Sequence, residues 1–254
     1  MQEFITLAHH LADEAGAIVR QYYRQPFDVE SKQDESPVTI ADKNVEQRLR
    51  AIVEAKRPED GIIGEEYGTK DSKNQYTWVF DPIDGTKSFV IGRPTFGTLI
   101  ALCENGVPIL GVIDQPILKE RWIGVKDMPT LFNGKPVTTR KCSGLKEAIV
   151  AATAPSMFDD RGLFLEKNFK ATVWGGDCYA YGMIASGYAD AVIEHDMGLH
   201  DFIAMPPIIE GAGGLVCAWD GSRLTSHNTG KSSVLALADP QLKEPAIELL
   251  KNLN

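Results

Sequence analysis

The sequence predicts an α+β protein built in layers, with two sheets rather than one doubly wound sheet. The chain opens on two helical patterns, continues as a meander of short apolar strands, and alternates strands with helices in its second half. With 254 residues it lies near the upper size for one hydrophobic core. We expect a single domain over residues 1–254 made of two closely packed lobes, about 1–140 and 141–254. No internal repeat, low-complexity tract or long linker interrupts it.

Residues 1–24 place Phe4, Leu7, Leu11, Ala15, Ile18 and Val19 at helical spacing, and Pro26 ends that helix. A second helix is expected over 42–56, with Val45, Leu49, Ile52 and Val53 inward, stopping before Pro58. Apolar runs at 76–80, 98–103, 109–113 and 121–125 read as strands, with turns at 104–106 and at Asn133 and Gly134. Then follow a strand at 145–152, helices at 158–167 and 179–187, and a strand at 189–194. A helix at 201–210, a strand at 232–236 and a helix at 240–250 complete the order.

Composition narrows the function. Hydrophobic residues at 43% and charged residues at 24% fit a soluble globular protein, and no apolar run is long enough to span a membrane. The first residues carry acids and histidines where a signal peptide would be basic and then apolar, so a cytoplasmic location is expected. A formal charge of −9 disfavours a nucleic-acid binder. It does not disfavour an anionic substrate, because clustered acids hold cations that attract phosphate. Cys103, Cys142, Cys178 and Cys217 form no C-x-x-C pair, and the histidines show no H-E-x-x-H spacing. The chemistry must come from oxygen ligands.

The most informative stretch runs from Trp78 to Thr86, where an apolar strand enters Asp81-Pro-Ile-Asp84-Gly-Thr86. Pro82 stiffens the exit and Gly85 permits an unusual backbone angle, so Asp81 and Asp84 can converge at the strand end. A helical turn at 87–90 would aim the N–H groups of Gly85 and Thr86 at an anion. The plain alternative is a strand-to-turn corner capped by aspartates. Gly64-Glu65-Glu66 follows a short apolar strand and, taken alone, reads as a solvated loop. Asp201 opens an apolar helix, where an aspartate is ordinarily an N-cap.

Taken together, Gly64-Glu65-Glu66, the Trp78 to Thr86 stretch, and Asp201 before an apolar helix running into Glu210-Gly-Ala-Gly-Gly214 resemble the inositol monophosphatase superfamily. The resemblance spans nearly the whole chain in the family's order and spacing. It implies a layered αβαβα sandwich, a homodimer, and dependence on two or three Mg²⁺ ions. It implies Glu65, Asp81, Asp84, Asp201 and the Ile83 carbonyl as metal ligands, with Gly85 and Thr86 holding phosphate. It also implies that Thr86 pairs with Asp42 to activate the attacking water, with Glu65 in the same catalytic group. Without the family, Asp42 reads as the N-cap of the second helix. The expected reaction is hydrolysis of a small phosphate ester by metal-activated water.

Within the superfamily, Gly176-Asp177-Cys-Tyr-Ala-Tyr-Gly182 looks like the histidinol-phosphate phosphatase branch. Histidinol phosphate is cationic at its amine end, which suits a carboxylate-lined pocket. Asp177 and Glu194 are the candidates, against the plainer roles of helix N-cap and strand-end surface acid. His200 stands where many inositol enzymes carry tryptophan, and Lys87 lies beside the phosphate turn; both roles stay open. The alternatives are an inositol or broad-range sugar phosphatase on the same fold, and, from a different class, a non-catalytic regulatory protein.

Overall fold

The computed structural model describes residues 1–25, 37–161, 163–228 and 230–251. Helix α1 (Gln2–Tyr22) buries Phe4, Leu7, Leu11, Ala15 and Val19, as its period requires, while Ile18 is half-buried. Pro26, expected to end it, lies outside the described residues. Helix α2 (Pro37–Lys56) begins earlier than expected, with proline at its first position, where the missing N–H is unneeded. Asp42 is therefore inside the helix, and its reading as an N-cap is corrected.

Strands β1 (Gly61–Gly64), β2 (Gly68–Lys70) and β3 (Tyr76–Asp84) lead into a short helix α3 (Thr86–Val90). Strands β4 (Gly97–Glu104), β5 (Val107–Gln115), β6 (Glu120–Val125), β7 (Leu131–Phe132) and β8 (Lys135–Pro136) follow. Together they form one sheet in the order β2-β1-β3-β4-β5-β6-β7-β8. From β3 onward neighbours are antiparallel, so the expected meander is present. Its turns work as the sequence suggested. Asn105 and Gly106 have φ of 50° and 80°, and Asn133 and Gly134 have 47° and 77°, the left-handed pair that suits a tight hairpin.

The second half supplies β9 (Ile149–Ala152), α4 (Leu163–Asn168), β10 (Ala171–Trp174), α5 (Asp177–Ala185) and β11 (Ala191–Met197). It continues with α6 (Leu199–Phe202), α7 (Met205–Gly211), β12 (Leu215–Cys217), β13 (Ser232–Leu237) and α8 (Lys243–Leu250). Its sheet runs β10-β9-β11-β13-β12. Several expectations change here. The strand at 145–152 begins as a 3-10 turn, Leu145–Glu147, and the helix at 158–167 is a 3-10 segment followed by α4. The helix at 201–210 is two helices, because Pro206 and Pro207 can open a helix but not continue one. Strands β2, β10 and β12 carry too few residues to show a period.

Alternation along each strand divides the core into layers. On β4, Ile100 and Leu102 face α1 and α2, while Leu99, Ala101 and Cys103 face α5 and α7. On β11, Val192 faces that same middle layer, and Ala191 and Ile193 face α8 with Leu242, Ala246 and Leu250. The result is the αβαβα sandwich: α1 and α2, the first sheet, α5 and α7, the second sheet, then α4 and α8. The middle apolar layer draws residues from both halves of the chain, from Val79 to Ala238.

Candidate metal and phosphate site

The site begins with a strand pairing. β1 and β3 run parallel with Gly64 opposite Phe80, so Glu65 leaves β1 beside Asp81. The pairing of β3 with β4 then shifts register between Asp81 and Asp84. This irregularity accommodates Pro82, which has no N–H for the ladder, and the Thr98 hydroxyl donates to the Pro82 carbonyl at 2.8 Å. β3 thus extends beyond the expected 76–80 and carries both aspartates to one end of the sheet.

Asp201 arrives from the other half. It is the third residue of α6, and its Oδ2 accepts from the N–H of Gly198 at 2.6 Å. It caps the helix from within rather than opening it. One carboxylate oxygen from each of Asp81, Asp84 and Asp201 lies within 4.8 Å of the others. Glu65, Asp81 and His200 form a second such group. His200 Nε2 is 3.3 Å from Asp201 Oδ1 and 3.9 Å from Glu65 Oε1, so the open histidine belongs to the acidic centre.

Asp81 is buried with Oδ1 unpartnered, and so is Asp42. Burial, then Asp84, Glu65, Asp201 and Asp42, push the Asp81 carboxyl well above its ordinary range. Burial, then Asp201 and Asp177, do the same to Asp84, and burial raises Glu65 although His200 opposes it. Converging carboxylate oxygens, with Asp81 Oδ1 and Asp42 Oδ1 lacking a hydrogen-bond partner among the described residues, are a donor set that fits a hard divalent ion. Asp42 reaches about 8 through burial and the charges of Glu65, Glu66 and Glu46.

Above the aspartates, Gly85 has φ of 82° and caps α3, which begins at Thr86. A Cβ at Gly85 would lie 2.9 Å from that of Asp177, so glycine is required by angle and by space. The expected pairing of Thr86 with Asp42 is not formed. The Thr86 hydroxyl donates to the Ile83 carbonyl at 3.3 Å, a local bond open to a threonine in a helix's first turn. Lys87 is exposed.

The two candidate substrate acids are close by. Asp177 is the first residue of α5, with φ of 45°, and Gly176 is the N-cap. The Asp177 Oδ2 accepts from the Ser88 hydroxyl at 2.5 Å, and the next residue, Cys178, donates its N–H to Asp84 Oδ2 at 2.6 Å. Glu194 is buried in β11 and is not a surface acid. Its oxygens accept from Thr153 Oγ1 at 2.5 Å and Tyr181 Oη at 2.7 Å, while burial raises it to about 6. Cys178 and Tyr181 lie in the Gly176 to Gly182 segment, but that they, Ser88 and Thr153 bind these carboxylates is not legible from sequence, since the partners lie 13 to 94 residues apart.

Fold and site together define a class: a layered α+β phosphoric monoester hydrolase whose acidic centre could hold divalent metal. The profile of the inositol monophosphatase family matches residues 1–254, and the chain belongs to that family. A solved inositol monophosphatase from Zymomonas mobilis superposes with a TM-score of 0.90 at 45% identity, over 98% of each chain. The chloroplastic "Bifunctional phosphatase IMPL2" of Arabidopsis thaliana is 42% identical over 99% of this chain and 76% of its own length. A histidinol-phosphatase of Chlorobaculum parvum is 37% identical over 92% of this chain and 96% of its own.

Proposed function

We propose that this enzyme hydrolyses L-histidinol phosphate to L-histidinol and phosphate in histidine biosynthesis, using Mg²⁺ held by Glu65, Asp81, Asp84, Asp201 and the Ile83 carbonyl. The observation that carries the substrate choice is that Asp177 and Glu194, two further carboxylates, stand beside this centre: both raise Asp84 electrostatically. A cationic amine or imidazolium relieves that crowding, and a neutral polyol does not. Histidinol-phosphatases among the relatives support the reading.

Bound Mg²⁺ would supply a nucleophile from water at neutral pH and neutralise charge on the phosphate and leaving oxygens. The chain's own residues do the rest. The N–H groups of Gly85 and Thr86 receive a phosphate oxygen at the start of α3. The Thr86 hydroxyl would turn from the Ile83 carbonyl to Asp42, whose unpartnered Oδ1 can accept its proton. Asp81 and Ile83 are buried and form the floor of the centre, while Glu65 is exposed and Asp84 and Asp201 are half-buried. A homodimer in the cytoplasm is the working assembly we infer.

A broader reading, with inositol phosphates also accepted, is favoured by the similarity to the Zymomonas inositol monophosphatase. Side-by-side turnover of histidinol phosphate and inositol 1-phosphate by metal-replete protein tests both. A kcat/KM for inositol 1-phosphate equal to or above that for histidinol phosphate would overturn the assignment.

A further inference from the structure

We propose that Glu46 is a positioning residue for the Glu65 metal ligand, holding from helix α2 the backbone that follows it and packing against the glycine that precedes it. Glu46 is fully buried and lies one helical turn beyond Asp42. Its Oε2 accepts from the N–H of Glu66 at 2.7 Å, and its Oε1 from the N–H of Tyr67 at 3.1 Å. Arg50, one turn further along α2, donates Nε to Oε1 at 2.7 Å and also bonds the Gly68 carbonyl. The carboxylate fills the space that Gly64 leaves open, where a Cβ would stand 1.9 Å from Oε1.

Glu65 therefore sits between a glycine whose missing side chain admits Glu46 and a residue whose N–H is bound by it. A carboxylate buried next to Glu65, Glu66 and Asp42 needs compensation, which Arg50 and two loop N–H groups supply. A core position with no further task would be better filled by an apolar side chain. What the carboxylate contributes is acceptor capacity on both oxygens: three donors point at it from two segments. A glutamine keeps the shape but can accept at one atom only, so an amide N–H₂ must face a backbone N–H of the loop.

It rests on the divalent-metal role proposed for Glu65, and calorimetric titration with Mn²⁺, without substrate, separates the two. Wild-type protein that takes up no ion would remove the metal role itself. With binding in the wild type, Glu46→Gln should weaken affinity about tenfold or more, as removal of a partner that orients a ligand does. Its kcat at saturating metal should return close to the wild-type value, and KM for the phosphate ester should not change. Gly64→Ala keeps the charge and displaces the carboxylate from the other side; it should give the same weakening if Glu46→Gln does not fold. Asp239→Asn, which weakens a buried acceptor of the Cys142 and Gln241 N–H groups in the second half of the chain, should lower Tm with no change in affinity. Metal affinity within about twofold of wild type in whichever of Glu46→Gln and Gly64→Ala folds, beside a lowered Tm, would make Glu46 a structural brace only.

Discussion

At the scale of single residues, the site is a set of like charges held closer than water alone would allow, so substitutions separate charge from shape. Asp84→Asn is nearly isosteric and removes one charge from a group that Asp201 and Asp177 already raise. It should reduce kcat severely while the metal-free Tm stays level or rises, because repulsion falls. Near-normal kcat would return Asp84 to the role of a turn residue. Thr86→Ala should lower kcat with little change in KM, since the backbone N–H groups that receive phosphate remain. A change confined to KM would assign the hydroxyl to phosphate contact instead. Asp177→Asn and Glu194→Gln should each cost about tenfold to a hundredfold in kcat/KM on histidinol phosphate. They should spare p-nitrophenyl phosphate, which has no amine. Equal losses on both esters would mean the acids serve fold or metal. The neighbours already bound to them, Ser88 on Asp177 and Thr153 and Tyr181 on Glu194, orient the carboxylates.

At the scale of elements, the parallel pairing of β1 with β3 is what brings Glu65 to Asp81, and Asp60 anchors it. Asp60, just before β1, accepts from Trp78 Nε1 at 3.1 Å, Asn74 Nδ2 at 2.8 Å and Arg57 Nε at 3.1 Å. Arg57 in turn lies 4.8 Å over the Phe4 ring, tying in α1. Asp60→Asn should destabilise the protein by about 3 kcal/mol, read from denaturant unfolding, because a buried charged acceptor loses its match to Arg57. kcat/KM of the folded fraction should be unchanged. A loss under about 0.5 kcal/mol would mean the network is replaceable by water. Here the limits of sequence reading are plain. The strand character of β3, β4 and β5 was legible from their apolar runs, and the helical character of α1 and α2 from their periods. Asp60 carries no sequence signal of this role, because its partners come from the segment after α2, a loop and a strand.

For the whole molecule, the acidic centre makes stability depend on pH and metal together. Glu194 rises to about 6 and Asp42 to about 8 in the folded state, above their ordinary carboxylate values. The folded protein therefore holds these protons more tightly than the unfolded chain. The stability they contribute is complete below the ordinary carboxylate range and is lost as pH rises through about 6 and then about 8. Metal-free protein should thus show a Tm that falls across this interval, with Asp81 and Asp84 acting in the same direction. Mg²⁺ at about a hundred times its Kd should add about 2.7 kcal/mol and raise Tm. Its effect should be largest at the upper end, where the carboxylates are ionised. Thermal denaturation with chelator and with Mg²⁺ across the interval measures both. A pH-independent Tm without metal, or no shift with it, would contradict the electrostatic account. Among the described residues, no helix is long and apolar enough to cross a membrane.

The sequence by itself determined the local machinery: an apolar strand ending in Asp81 and Asp84, a glycine at the left-handed turn before α3, and two type-specific hairpin turns. These follow from periodicity and from backbone angles that few residues adopt, and neither needs a distant partner. It also led to the expectation of oxygen ligands, to which the structure adds His200, grouped with Glu65 and Asp81. Only the tertiary structure decided which acids meet. The parallel register of β1 on β3, the irregularity at Pro82, and the approach of Asp201 from the second half turn separate acids into one centre. The same packing moved Asp42 from a helix end to a buried interior, placed Glu194 in the core, and set Glu46 under Glu65. Local pattern specifies which face of an element is buried. Which element lies against that face depends on the packing of the whole chain, and that is where a carboxylate's partners are chosen.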